Sequence, residues 1–294
     1  MLPRYRRAIA HKVQASLPPA PKNLDALERY VDDAFTQYQR DVTLGLGATW
    51  THKLYALWDA TQATDDLEWL DLPETPPHLR ARLLDQLKRW NHLTALHPRI
   101  FHHIKPHLQR LSQQYPHRPL RILELASGDG QLCCDLHHWA ARHNLQLDIT
   151  VSDLYPEAIE AAKLNAQTHH CPNLHFKILN ALDLSNIPPN TYDLTLCVQT
   201  LHHLTPGQIA RLLQQSQRVT TGPTICIDLA RQPLMATGAS LIMPLLFDQA
   251  MTHDASISVR RAYSHTDLGL IAALAGAAAE VKRLLPIHTS LLAR

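Results

Sequence analysis

Arg121-Ile-Leu-Glu-Leu-Ala-Ser-Gly-Asp-Gly130 is a short apolar run that ends in an acid and passes into a turn with small residues at every second place. Gly128 and Gly130 are two of only nine glycines in the chain. A glycine lets the main chain approach a ligand closely and take positive φ without a Cβ penalty. The helical pattern that begins near Gln131 would present its N-terminus, and so its free amide groups, to whatever occupies the turn. Ordinary strand-to-helix turns also use glycine, so the meaning of this run depends on its surroundings.

Downstream, residues 147–152, 174–179, 192–198 and 224–229 are short apolar or β-branched runs, and helical patterns fill the gaps between them. With 120–125 in front, this alternation predicts an α/β fold: a doubly wound, mostly parallel sheet of Rossmann-like type. Two further strands, 281–285 and 289–292, are close enough to pair as a hairpin at the sheet edge, which gives seven in all. Upstream of residue 120 no β-type alternation appears. Residues 24–60 carry apolar side chains at helical spacing, interrupted at Gly45 and Gly47, and two more helical patterns cover 78–93 and 98–113. The expected division is a helical extension over 1–65, a helical cap or lid over 66–115, and a core over 116–294.

Composition narrows the class. A chain of 294 residues that is 45% hydrophobic can bury a full core without staples. Its net charge of +2 is too small for a surface that tracks nucleic acid, so no nucleic-acid partner is expected. Arg4, Arg6, Arg7 and Lys12 make the N-terminus locally basic and read as a solvated tail. The five cysteines form no CxxC pair, which fits reduced thiols and a cytoplasmic protein. The longest apolar runs fall well short of the roughly 20 residues that a membrane span needs, so no span is expected.

Three further features fit the glycine turn. Asp153 ends the second strand some twenty residues beyond it, where an acid can hold both hydroxyls of a ribose, although alone it would read as a helix N-cap. Leu179-Asn-Ala-Leu-Asp183 follows the third strand, and Asn190-Thr-Tyr-Asp-Leu-Thr-Leu-Cys-Val-Gln-Thr-Leu-His-His-Leu204 contains the fourth. Together these motifs resemble the class I S-adenosylmethionine-dependent methyltransferases over residues 115 to 294. Glu68-Trp-Leu-Asp71, Leu87-Lys-Arg-Trp-Asn91 and His253-Asp-Ala-Ser-Ile-Ser-Val-Arg-Arg-Ala-Tyr263 are similar to the small-molecule methyltransferases found beside bacterial type III polyketide synthases.

The resemblance implies S-adenosyl-L-methionine as cofactor. Glu124 would meet its amino group, and Ala126, Ser127, Gly128 and Gly130 its amino-acid moiety. Asp153 would hold the ribose, Leu154 and Ala181 would flank the adenine, Asn180 would contact the adenine's polar edge, and Gln199 would sit beside the cofactor. Asn91 reaches the cofactor carboxylate in this reading, or else serves a helix surface. Ala126 and Asn180 depart from the usual glycine and aspartate. Alanine is small enough for the turn, and asparagine keeps a carbonyl acceptor without the charge.

The implied reaction is an in-line displacement at the methyl carbon of a sulfonium, with O-methylation of a phenolic or polyketide-like small molecule as the leading reading and C- or N-methylation as the alternative. A phenol has a pKa near 10 and histidine one near 6.5, so an imidazole suits the proton transfer. His202 and His203, in the loop after the fourth strand, are the first candidates for the base, and His253 beside Asp254 is the next. Of Arg260 and Arg261, one is expected to reach inward to an anionic group, or else both pair with acids at the surface. The aromatic residues Trp50, Tyr55, Trp58, Trp69 and Trp90 suggest that the N-terminal helices complete the acceptor pocket. A nicotinamide oxidoreductase would want a Tyr-x-x-x-Lys, which is absent, whereas a non-catalytic cofactor-binding protein remains a rival. No metal site is expected, because there is no HExxH and no Cys/His cluster, and because Pro106 interrupts the helical spacing of His103 and His107.

Overall fold

The computed structural model describes residues 2–45, 49–72, 74–232, 241–285 and 288–294. Gly47, the side chain of Tyr55 and residues 233–240 lie outside the described residues. Seven strands form one sheet: β1 (Leu120–Leu125), β2 (Leu147–Asp153), β3 (Leu174–Ile178), β4 (Leu194–Val198), β5 (Thr224–Leu229), β6 (Ala279–Leu285) and β7 (His288–Ala293). Their order is β3-β2-β1-β4-β5-β7-β6. The first five run parallel, β7 is antiparallel to β5, and β6 closes the hairpin. This is the seven-stranded, mostly parallel Rossmann-like sheet that the alternating pattern predicts.

Alternation along each strand sends side chains to two separate cores. Ile122, Leu196, Ile225, Ile227 and Leu292 face one side, where α5 (Leu96–Gln114), α6 (Gln131–Arg142) and α7 (Pro156–Thr168) cover them. Leu123, Leu125, Cys197, Cys226 and Leu291 face the other, beneath α8 (Pro206–Val219) and α10 (His265–Leu274). The helix α5, expected in the cap, buries Ile100, Ile104, Leu108 and Leu111 against the sheet and belongs to this layer. It runs straight through Pro106, contrary to the expected interruption: the proline sits mid-helix, and the buried face on both sides holds the helix together.

On top of α8 and α10 lies a further layer made of α1 (Leu2–Ser16), α2 (Leu24–Leu44) and α3 (Trp50–Gln62). The N-terminus is not a solvated tail. Arg4, Arg7 and Lys12 are exposed, but Ile9, Ala10 and Val13 are buried and Arg6 is only 7% exposed. The Arg6 guanidinium bonds Asp59 and reaches Asp267 at 3.5 Å, and Arg231 reaches the same two acids at 3.4 and 3.5 Å. Two buried cations thus face two buried anions, and Tyr38 donates to Asp267 at 3.1 Å.

Residues 66–93 form the lid proper: a 3-10 turn at Trp69–Asp71 and α4 (Pro77–Leu93), in which Leu83 is the buried residue. They pack with α9 (Gln249–Arg261) around Met243, Phe247 and Met251. All five cysteines are free and buried. Among the described residues no helix is long and apolar enough to cross a membrane.

Candidate functional site

The carboxyl ends of β1 and β4 meet where the winding of the sheet reverses, the place at which ligands enter such folds. Three left-handed residues shape it. Ala126 has φ 52°, Gly128 has φ 56°, and Gln199, straight after β4, has φ 54°. Alanine does take the conformation that glycine usually supplies, at a cost of about 1–2 kcal/mol. A Cβ on Gly128 would meet no heavy atom within 4 Å, so the turn leaves open space there. Gly130 is different. A Cβ there would come within 3.0 Å of Ala162 and 3.3 Å of Val151, and its φ is 70°, so the packing of α7 and β2 and the backbone conformation are enough to require a glycine at this position.

Glu124 ends β1 only 3% exposed, and burial pushes its carboxyl up to about 7, opposed by a hydrogen bond that Cys133 Sγ donates at 2.6 Å. Asp153 accepts from Gly128 N at 2.9 Å and from Tyr155 N at 3.1 Å, so the acid also fixes the turn. Asn180 uses its carbonyl to accept from Leu182 N at 2.9 Å, which occupies one lone pair of the atom expected to meet adenine. Leu154 is exposed and Ala181 half-buried.

A cavity of about 1140 Å³ opens beside the turn. Glu124, Ala126, Ser127, Gly128 and Gln199 line it, whereas Gly130, Asp153, Leu154, Asn180 and Ala181 do not. The rest of its lining comes largely from the lid, from α9 and from the 3-10 turn Leu201–His203. From the lid, Asn91 donates to Gln199 at 3.3 Å, and Lys88 pairs with Asp129 at 2.6 Å. Among the described residues none before Glu68 lines this cavity, so the idea that the whole N-terminal region completes it holds, for those residues, only for the lid. Trp50 points to solvent, whereas Trp69 and Trp90 pack around the lid.

His202 and His203 both reach the cavity, and their environments differ. His202 is 5% exposed; its Nδ1 lies 2.7 Å from Asp228 and its Nε2 lies 3.4 Å from Glu68. Burial alone would lower its pKa, but Asp228 and Glu68 outweigh burial and hold it up at about 10. At neutral pH this imidazole carries its proton, which counts against its expected role as a base. His203 is more open. Asp71 engages its Nδ1 at 2.8 Å and, by that bond, lies below the usual carboxylate range despite its own burial. The Nε2 of His203 has no other partner among the described residues.

His253, the remaining candidate, does not line the cavity. Its ring stacks on Trp69 at 4.4 Å, and its Nδ1 lies 2.9 Å from Asp254. The cavity residue of that pair is Asp254, which accepts from Trp69 N and Leu70 N at 2.8 and 3.0 Å and so anchors the lid to α9. Arg260 and Arg261 also serve the scaffold. Arg260 donates to Gln62 O, and Arg261 donates to the carbonyls of His202, His203 and Asp66. Sequence reasoning quoted Glu68 and Asp71 without giving them a role, and it missed Asp228. Glu68 and Asp71 stand far before the His-His pair in the chain and Asp228 stands after it, and no spacing rule could join them to that pair.

Residues 122–222 match the family described as a methyltransferase domain. Among solved structures, the plantazolicin methyltransferase BamL, in complex with a triazolic desmethylPZN analog and SAH, superposes with a TM-score of 0.54 at 14% identity, over 81% of this chain and 97% of that one. The citrinin polyketide synthase CMeT domain gives 0.49 at 18% identity, over 95% of this chain and 71% of that one. A SAM dependent methyltransferase from Aquifex aeolicus gives 0.46 at 16% identity, over 63% and 87%. No curated protein sequence matches the chain. Residues 122–222 are thus similar to a methyltransferase domain.

Proposed function

We propose that this protein is an S-adenosylmethionine-dependent methyltransferase that methylates a hydroxyl of a phenolic or polyketide-like small molecule, as the motifs of the lid and α9 suggest. The observation that carries the reading is the cavity itself, whose lining combines the glycine turn, where the cofactor's amino-acid end belongs in this reading, with the imidazoles of His202 and His203 and the carboxylate of Glu68. The leaving group on a sulfonium is already good. The protein's work is to align acceptor and methyl, exclude water and deal with the hydroxyl proton. His203 is the residue assigned to acceptor activation, because Asp71 fixes its Nδ1 and leaves its Nε2 lone pair free. Glu124, Ser127, Gly128 and Gln199 line the cofactor end in this reading, and Asp153 takes the ribose just outside the cavity.

The test compares His203→Ala with wild type for methyl transfer to a panel of phenols at pH 7 and pH 9. Turnover is expected to fall by about 10²-fold or more at pH 7. The loss should shrink at pH 9, where phenolate forms unaided. Equal turnover of both proteins at pH 7 would remove His203 from this role. Transfer confined to amines would replace the hydroxyl acceptor with a nitrogen one.

A further inference from the structure

The wall of the cavity brings together groups that acceptor chemistry alone does not require. A carboxylate oxygen of Glu68 and one ring nitrogen each from His202 and His203 all lie within 4.8 Å of one another. Two ligands on one transition ion stand at most about 4.2 Å apart, since metal–nitrogen and metal–oxygen bonds are about 2.0–2.2 Å. A shift of well under 1 Å would therefore close the three around an ion.

Each imidazole is also held from behind. Asp228 fixes Nδ1 of His202 at 2.7 Å and Asp71 fixes Nδ1 of His203 at 2.8 Å. A carboxylate behind each ligating histidine is the arrangement that orients the ring and raises its basicity in metal sites. Glu68 has the same kind of support: Ser258 Oγ donates to its Oε1 at 2.6 Å, and its other oxygen has no hydrogen-bond partner among the described residues. The backbone carrying these groups is fixed by α9. Asp254 holds the amides of Trp69 and Leu70, and Arg261 holds the carbonyls of His202 and His203. Charge points the same way, because three carboxylates surround two imidazoles at the floor of a cavity.

We propose that Glu68, His202 and His203 bind a divalent transition cation, which takes the place of the proton on Nε2 of His202 and releases it to solvent, and whose open positions face the cavity and receive the acceptor oxygen. Two imidazoles and one carboxylate suit zinc, iron(II) or cobalt(II), whereas magnesium and calcium prefer all-oxygen sets. The inference rests on the hydroxyl-acceptor reading above and names the agent of activation. His203 then acts as a ligand. A phenol bound at an open position gives up its O–H proton to solvent, and its oxygen keeps the electron pair that attacks the methyl carbon.

The experiment uses the full chain, stripped of metal with a chelator and titrated with cobalt(II) chloride while the visible ligand-field band is followed. The expected result is a band that saturates at one cobalt per chain and is bleached by zinc. Twenty histidines give background binding, so the readout is the difference between proteins. Glu68→Ala and His203→Ala should lose the band while still binding S-adenosylmethionine, which shows that they are folded. Asp71→Asn should weaken cobalt binding by about 10–100-fold. His103→Ala, on α5, should keep the band. No band in wild type, or an unchanged band in Glu68→Ala and His203→Ala, would overturn the proposal, as would full turnover of phenols by metal-free enzyme. If the band behaves as expected but no phenol is methylated under any metal condition, the cation site stands and the hydroxyl acceptor falls.

Discussion

At the scale of single residues, conformation and charge at the turn determine what each side chain can do. Gly128 is the position where a Cβ has open space in front of it and positive φ behind it. Gly128→Val should therefore abolish S-adenosylmethionine binding measured by calorimetry, through intrusion into the ligand's space, while the fold survives with a loss of about 1–2 kcal/mol. Binding at wild-type affinity would show that the cofactor lies elsewhere. Asp153→Ala should weaken binding too, but its bond to Gly128 N means that part of the effect comes through a loosened turn. His202 gives a prediction about pH. Its folded pKa, about 10, is raised above the ordinary 6.5, so the stability it contributes is full below about 6.5, declines above that and is gone as pH rises past about 10. Denaturant midpoints measured from pH 6 to pH 10 should fall more steeply for wild type than for His202→Gln. Parallel slopes would mean that the imidazole is not held protonated by Asp228 and Glu68.

At the scale of elements, the chain's period changes were legible and its long-range partners were not. The five parallel strands could be placed because apolar runs flanked by helical patterns leave few alternatives, and the β6–β7 hairpin followed from two runs too close for a crossover. The helix α5 was assigned to the lid because its pattern, like that of α4, precedes the first strand, and periodicity says that a face is buried without saying against what. The same limit applies to the site. Glu124, Gly128 and Asp153 were found through spacing along one βαβ unit, whereas the assembly of Glu68, Asp71, His202, His203 and Asp228 comes from three separate regions and had no local signal. Helix α1 was misread for a related reason. Four basic residues in its first turns resemble a tail, and only the fold shows that Arg6 sits between Asp59 and Asp267. Arg6→Ala should cost about 3–5 kcal/mol in denaturant unfolding, because it removes one of the two cations that face two buried carboxylates. Arg4→Ala, at an exposed position on the same helix, should change stability by less than about 0.5 kcal/mol. A similar small effect for both would return α1 to the status of a loosely attached segment.

At the scale of the whole molecule, two helical regions precede the sheet in sequence and relate to it in opposite ways. The layer α1–α3 shares one continuous core with α8, α10 and the sheet: Val31, Phe35 and Tyr38 belong to the same buried cluster as Leu123, Leu213 and Ile271. It lines no part of the cavity. The lid does the reverse. It lines the cavity but buries little, and it is held largely by polar contacts at Glu68, Gln86, Lys88 and Asn91. Segments with few buried apolar contacts open at low free energy, and lids of active sites are drawn from that class. Hydrogen exchange read by mass spectrometry should therefore show α2 amides protected to nearly the same degree as those of β1, both exchanging only through global unfolding. Amides of residues 77–93 should exchange much faster in the free enzyme and gain protection when S-adenosylmethionine and an acceptor are bound together. If α2 exchanged as fast as the lid, residues 1–65 would be an appended extension, as the sequence division suggested. If the lid were as protected as β1 without ligand, the cavity would have no opening motion of its own, and entry of the acceptor would require a different route.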